Sequence, residues 1–136
     1  MKILIAEDDF ASRILLTKLL GSLGRCDVTV NGEEALDAFR IAVSEGQAYD
    51  LICLDIMMPI IDGIETLKVI REIEDERGIG GLDRAKVIMI TALGDSKNVL
   101  EAFKDGCEAY IVKPIKKEKL YEEITKLGLS VPGEGN

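Results

Sequence analysis

The hydrophobic positions of this chain follow two rhythms. Four short runs are almost continuously apolar: Lys2–Ala6 (KILIA), Tyr49–Asp55 (YDLICLD), Lys86–Thr91 (KVIMIT) and Ala109–Lys113 (AYIVK). Runs of that length, closed by polar residues or by Gly and Pro, suit strands buried on both faces of a parallel sheet. Cys26–Val30 alternates weakly and is β-branched, which predicts a further strand, second in chain order.

Between these runs the apolar residues fall three and four apart. Ile14, Leu15, Leu19 and Leu23 make the stripe of a helix from Phe10, with Arg13 and Lys18 between them and Gly21 and Gly24 at its end. Asn31-Gly32 is also a hairpin signal. The following EEALDAFRIAV, however, repeats at Ala35, Ala38, Phe39 and Ala42 behind two first-turn glutamates, so Asn31 reads as a helix N-cap. Asp62-Gly63 opens a helix striped by Ile64, Leu67, Ile70 and Ile73. Asp95–Lys104 turns Val99, Ala102 and Phe103 inward, and Lys116–Leu127 carries Leu120, Ile124 and Leu127. The glycine-rich Glu74–Arg84 reads as a long, mobile loop. Its glycines lack the GK[ST] ending of a phosphate loop and lead into a strand, not a helix. Strands alternating with helices predict one α/β domain over residues 1–128, a parallel sheet covered on both faces, and a tail over 129–136 that suits a natural end or the start of a linker. The pattern leaves the strand order open.

Composition narrows the chemistry. The 136 residues are 47% hydrophobic and 31% charged, the balance of one folded domain. No apolar stretch reaches membrane-spanning length and none at the start suits a signal peptide, so the expected setting is the cytoplasm, without a membrane partner. A net charge of −8 disfavours direct nucleic-acid binding. Cys26, Cys53 and Cys107 are too scattered for a disulfide framework or a zinc site. The chain has no histidine, which removes Ser-His-Asp and Cys-His catalysis and His-based metal sites together.

What remains is polar residues at strand ends. The first strand runs into Asp8-Asp9, the third ends in Asp55, the fourth in Thr91 and the fifth in Lys113. In open α/β sheets that carboxyl rim is where ligands bind. Carboxylates brought within about 4 Å repel by about 4 kcal/mol per pair at an effective dielectric near 20, and a divalent cation relieves this. An all-oxygen donor set indicates a hard cation such as Mg²⁺. Beside it Asp55 has the chemistry to attack phosphorus, Lys113 to neutralise phosphoryl oxygens, and Thr91 to follow the new charge with its hydroxyl.

IAEDD, LDIMMPIIDG, ITA and VKP, with their separations from Lys2 to Leu127, resemble the response-regulator receiver domains of two-component signalling, notably the stand-alone chemotaxis type. The resemblance implies a flavodoxin-like (βα)5 fold with strand order 2-1-3-4-5. It implies a phosphoacceptor at Asp55, phosphorylated by a sensor histidine kinase or a phosphotransfer protein. It implies a Mg²⁺ site, open also to Mn²⁺, in which Asp9 binds directly, Asp8 through water, and Asp55 and the Met57 carbonyl complete the set. Glu7 then reads as a tolerated variant outside the ligand set. Thr91 and Tyr110 would be the switch residues, Lys113 the phosphoryl-binding lysine, and Lys113-Pro114 a cis bond. Phosphorylation would alter the face formed by the fourth helix, fifth strand and fifth helix, where a protein target binds the monomer or a phosphorylation-dependent dimer forms. Catalysis would be limited to the domain's own phosphoryl transfer and autodephosphorylation. Apolar Met57 and Leu93 flank the expected phosphoryl position, and the lysines of KPIKKEK read as a solvated face.

Two other readings compete: a phosphorylation-independent adaptor, against which the intact acidic, Thr and Lys set argues, and an Asp-nucleophile phosphatase, which needs a second aspartate where Asp55 is followed by Ile-Met-Met.

Overall fold

Strand parity sorts the chain into two cores. The computed structural model describes residues 1–131: β1 (Lys2–Ala6), α1 (Phe10–Gly21), β2 (Arg25–Thr29), α2 (Gly32–Ser44), β3 (Leu51–Asp55), α3 (Gly63–Glu76), β4 (Lys86–Thr91), α4 (Ser96–Lys104), β5 (Ala109–Val112) and α5 (Lys117–Lys126), with a single 3-10 turn at Gly81–Asp83 before β4. Ile3, Ile5, Cys53, Ile88 and Ile90 point to one face, where Leu16 and Leu20 of α1 and Leu120 and Ile124 of α5 cover them. Their neighbours Leu4, Ala6, Ile52, Leu54, Val87 and Met89 point to the other, under α2, α3 and α4. Alternating residues of the central strands thus serve different cores, which is why their sequence is apolar throughout.

All strands are parallel, in the order β2-β1-β3-β4-β5, as the resemblance implies. The chain runs from β1 outward to β2, then crosses back to β3 and continues the other way. The crevice between the carboxyl ends of β1 and β3 is therefore the topological switch point, where such sheets bind ligands.

Several expectations need correcting. On α1 the fully buried residues are Leu16 and Leu20, while Ile14 and Leu15 are exposed; the helix is apolar nearly all round, so spacing alone does not choose its inner face. Phe103 lies half-exposed on the outside of α4 rather than in the core. The Glu74–Arg84 loop is shorter than expected because α3 continues through Glu76, held by a buried ion pair that spacing does not reveal: Arg71 bonds Glu74 at 2.7 Å, and Glu74 accepts the Ala85 N–H at 2.9 Å. Beyond α5, Leu129 and Val131 pack against the α1/α5 core; residues 132–136 of the expected tail lie outside the described residues. Among the described residues no helix is long and apolar enough to cross a membrane.

Candidate functional site

The site grows from how three chain segments leave the sheet. β1 pairs with β3 so that Ala6 lies opposite Leu54, which brings the residues just after Ala6 beside Asp55. Glu7 N–H bonds Thr29 O at 3.1 Å, prolonging the β1–β2 pairing by one step and turning the Glu7 side chain into the rim. Carboxylate oxygens of Glu7, Asp8 and Asp55 then lie within 4.8 Å of one another. Asp55 is 3% exposed and Glu7 is fully buried, whereas Asp8 is open to solvent.

Asp9, expected as the direct metal ligand, is elsewhere. It is the N-cap of α1, and its carboxylate accepts the Ser12 N–H at 2.9 Å. That hydrogen bond holds its pKa below the ordinary aspartate value. The acidic pair that faces Asp55 is Glu7–Asp8, one residue earlier than expected. A signal for this was present: an aspartate directly before the first helical residue, Phe10, is an N-cap signature.

Lys113, first residue after β5, supplies the counter-charge. Its Nζ lies 3.0 Å from Glu7 Oε1 and 3.4 Å from Asp55 Oδ2, and its N–H bonds Thr91 O at 2.8 Å. Burial alone would lower its pKa, but Glu7 and Asp55 outweigh this and raise it. One lysine does not balance three carboxylates. Burial, and after it the neighbouring Glu7, push Asp55 up to about 7; burial and Asp55 raise Asp8. Glu7 Oε1 is buried with no hydrogen-bond partner despite its closeness to Lys113. A buried, unsatisfied, acceptor-only oxygen in an all-carboxylate cluster fits a hard divalent cation.

The loop after β3 is tied to the phosphoacceptor candidate. Met57 N–H donates to Asp55 Oδ1 at 3.1 Å and Gly63 N–H to Ile56 O at 2.9 Å. A Cβ on Gly63 would lie 2.3 Å from Asp55 O, so only glycine lets α3 start this close to β3. Asp62 caps α3 by accepting the Glu65 N–H.

On the far side, Thr91 is buried at the end of β4, its hydroxyl donating only a long 3.4 Å bond to Ala92 O. It lines a cavity of about 160 Å³ together with Val99, Tyr110 and Val112. Tyr110 is half-exposed on β5 and meets Phe103 edge-on, ring centroids 5.9 Å apart. Tyr110 also lines a larger groove, about 360 Å³, with Pro114, Lys116, Lys119 and Glu123. The Lys113-Pro114 peptide bond is cis.

Comparison with known proteins gives the family of the chain and the relatives of its fold. Residues 3–125 match the response regulator receiver domain. "Two-component response regulator 24" of Arabidopsis thaliana is 35% identical over 130 residues, which is 94% of this chain and 84% of that protein. "Osmosensing histidine protein kinase SLN1" of Saccharomyces cerevisiae is 29% identical over 138 residues, spanning this whole chain but only 11% of the kinase. The chain thus covers a small part of the hybrid kinases among its relatives. Among solved structures, CheY in a CheX-CheY-BeF3-Mg+2 complex from Borrelia burgdorferi superposes with a TM-score of 0.80 at 29% identity, over 96% of this chain and 90% of that one.

Proposed function

The chain belongs to the response regulator receiver domain family of two-component signalling, signalling modules rather than conventional enzymes, and on that premise we propose that it receives a phosphoryl group on Asp55. The observation that carries the reading is the convergence of Glu7, Asp8 and Lys113 on the nearly buried Asp55 carboxylate at the switch point. Burial, the Met57 N–H and Lys113 hold that carboxylate in one orientation. An Asp55 oxygen attacks phosphorus, the donor's P–N bond breaks with its electron pair staying on the histidine nitrogen, and an acyl phosphate forms. Lys113 is placed to neutralise phosphoryl oxygens as charge builds.

Glu7, Asp8, Asp55 and the Met57 carbonyl would hold Mg²⁺, or Mn²⁺ in its place; Glu7 takes the place expected of Asp9. When bound, the cation neutralises the carboxylates and the incoming phosphoryl oxygens.

The signal is read at Thr91 and Tyr110. A phosphoryl group adds about −1.5 to −2 of charge, which draws the weakly bonded Thr91 hydroxyl toward Asp55. The cavity behind it then accepts the Tyr110 ring, so phosphorylation shifts the population from the outward tyrosine to the inward one. Because Tyr110 is also a wall of the lysine-lined groove, this rotation rewrites the α4–β5–α5 face for a protein target or a second phosphorylated copy. The donor is a sensor histidine kinase or phosphotransfer protein, which sets the exchange in the cytoplasm.

Incubation with acetyl phosphate or beryllofluoride and Mg²⁺ tests the reading. The expected result is one acid-labile phosphoryl adduct by intact mass, and amide shifts at Thr91 and Tyr110, all lost in Asp55→Asn. An unmodified wild type, or an adduct retained in Asp55→Asn, overturns it.

A further inference from the structure

Of the three tyrosines in the chain, two are pinned. Tyr49 is buried, its hydroxyl donates to Asp27 at 2.7 Å, and Lys2 lies 4.9 Å from its ring centre. Tyr121 is buried, its hydroxyl donates to Leu19 O at 2.7 Å, and Lys117 lies 5.6 Å from its ring centre. Tyr110 is 40% exposed, and among the described residues it has neither a hydroxyl partner nor a cation over its ring. Lys119, which lines the same groove, is engaged by Glu123 at 3.2 Å.

Burying that ring would be favourable, and there is room beside it. The hollow of about 160 Å³ that borders Tyr110 also touches Thr91 and has Val99 and Val112 among its walls. Lack of space alone does not keep the ring outside. Among the described residues its one aromatic partner is Phe103, with ring centroids 5.9 Å apart and planes at 89°. Such an edge-on pair displaces an equilibrium by about two- to twelvefold at room temperature. The core makes no use of Phe103: the one fully buried residue of α4 is Ala102, and Phe103 is 43% exposed. The helix is tied from behind. Lys68 of α3 lies 3.5 Å from Glu101 and 3.8 Å from Asp105. These stand two residues to either side of Phe103, away from its face of the helix. Phe103 is thus a fixed post against which a movable ring rests.

Resting on the reading of Thr91 and Tyr110 as the switch, we propose that Phe103 is an autoinhibitory latch, an aromatic post on α4 that holds Tyr110 outward and so sets how readily Asp55 turns it. The sign follows from linkage. An inward Tyr110 forfeits the Phe103 contact, so a phosphoryl group or beryllofluoride on Asp55 must offset that loss before the ring turns. Removing the latch tightens beryllofluoride binding by up to the factor with which the latch favours the outward ring. Phe103 touches no reacting group. It is a positioning residue, and it acts through Tyr110.

Fluorine NMR of protein carrying 3-fluorotyrosine reads the switch, with the Tyr110 signal assigned by Tyr110→Phe. Phe103→Leu keeps an apolar side chain on α4 but removes the aromatic edge. Without a phosphodonor, its Tyr110 signal should lie shifted toward the position seen in wild type saturated with beryllofluoride and Mg²⁺. Half-saturation by beryllofluoride at fixed Mg²⁺ should come at least twofold lower than in wild type. The same substitution in a Tyr110→Leu background should leave half-saturation unchanged, because the pair is already broken. An unchanged or weaker affinity in Phe103→Leu overturns the latch, whatever the signal does. A tightening that persists in the Tyr110→Leu background also overturns it, since Phe103 would then act by packing α4 and not through the tyrosine. If beryllofluoride binds the wild type through Asp55 and the Tyr110 signal does not move, the switch reading beneath the latch fails instead.

Discussion

At the amino end of the sheet, Arg71 reaches from α3 to the turn before β5, and all five of its N–H groups find acceptors. Nη1 serves Glu74 and Ala85 O, Nε and Nη2 serve Gly106 O, and Nη2 also reaches Glu108 at 2.9 Å. The two glutamates in turn accept the Ala85 and Val87 N–H groups. At the carboxyl end, Glu7, Asp8 and Asp55 share a single lysine, and a buried Glu7 oxygen has no hydrogen bond. Both ends bury charge; only one satisfies it. A completed network fastens α3, β4 and β5 together. An incomplete one raises the pKa of its own carboxylates and gains stability when something arrives. The first cluster holds elements of the domain together; the second leaves its buried charge unbalanced.

The strongest way to break this contrast is Arg71→Met. It leaves Glu74, 1% exposed, with only the more distant Arg84 at 4.0 Å, and the Gly106 and Ala85 carbonyls short of donors. Losing one member of a buried pair costs about 3–5 kcal/mol, to be read from urea unfolding. Labelling by acetyl phosphate per folded molecule should be unchanged. A stability loss under about 1 kcal/mol, or collapsed labelling of the folded fraction, would show that the two rims are not separable in this way.

A second comparison uses pH. Asp55 holds its proton more tightly in the folded state, up to about 7 against 3.8. The protonated carboxyl therefore contributes stability that is fully present below 3.8 and lost as pH rises through about 7. Metal-free protein should have a lower Tm at pH 8 than at pH 5 by roughly 5 °C, unlike the usual gain that carboxylates bring on ionising. Asp55→Asn should flatten that slope, and saturating Mg²⁺ should reverse it by binding the folded state alone. A metal-free wild type whose Tm rises steadily from pH 5 to 8 would contradict the strained rim.

These two clusters also differ in how much of them the sequence discloses. The carboxyl rim is legible because strand ends are marked by the change from apolar runs to Asp55, Thr91 and Lys113, and because parallel strands gather their ends on one edge. Its acidic pair is displaced by one residue in that reading, since Glu7-Asp8-Asp9 offers two adjacent pairs and the cap of α1 decides between them. The Arg71 network is silent in sequence. An Arg and a Glu three apart on a helix ordinarily lie in solvent, and their partners Gly106 and Glu108 meet them only through tertiary contact. Phe103 fails for a related reason: helical spacing places it beside Ala102, but α4 packs on the sheet by one narrow stripe, and Phe103 turns outward to Tyr110. Periodicity reports that a residue is apolar, not which neighbour will claim it.

The smallest expected effect separates the two adjacent acidic pairs. If Glu7 belongs to the incomplete cluster and Asp9 to the helix, neutralising each should act on a different quantity. Glu7→Gln removes one buried negative charge of the donor set, and Mg²⁺ titration followed by amide shifts should show affinity weakened at least tenfold, the scale on which donors around a metal act. Asp9→Ala should leave that affinity within about twofold while costing about 1 kcal/mol through the lost Ser12 cap, a difference within reach of denaturant midpoints. The opposite pattern, Asp9→Ala abolishing Mg²⁺ binding and Glu7→Gln sparing it, would move the ligand pair to Asp8–Asp9. Glu7 would then be only the buried partner of Lys113, and the carboxyl rim would count as one more satisfied ion pair, like the one at Arg71.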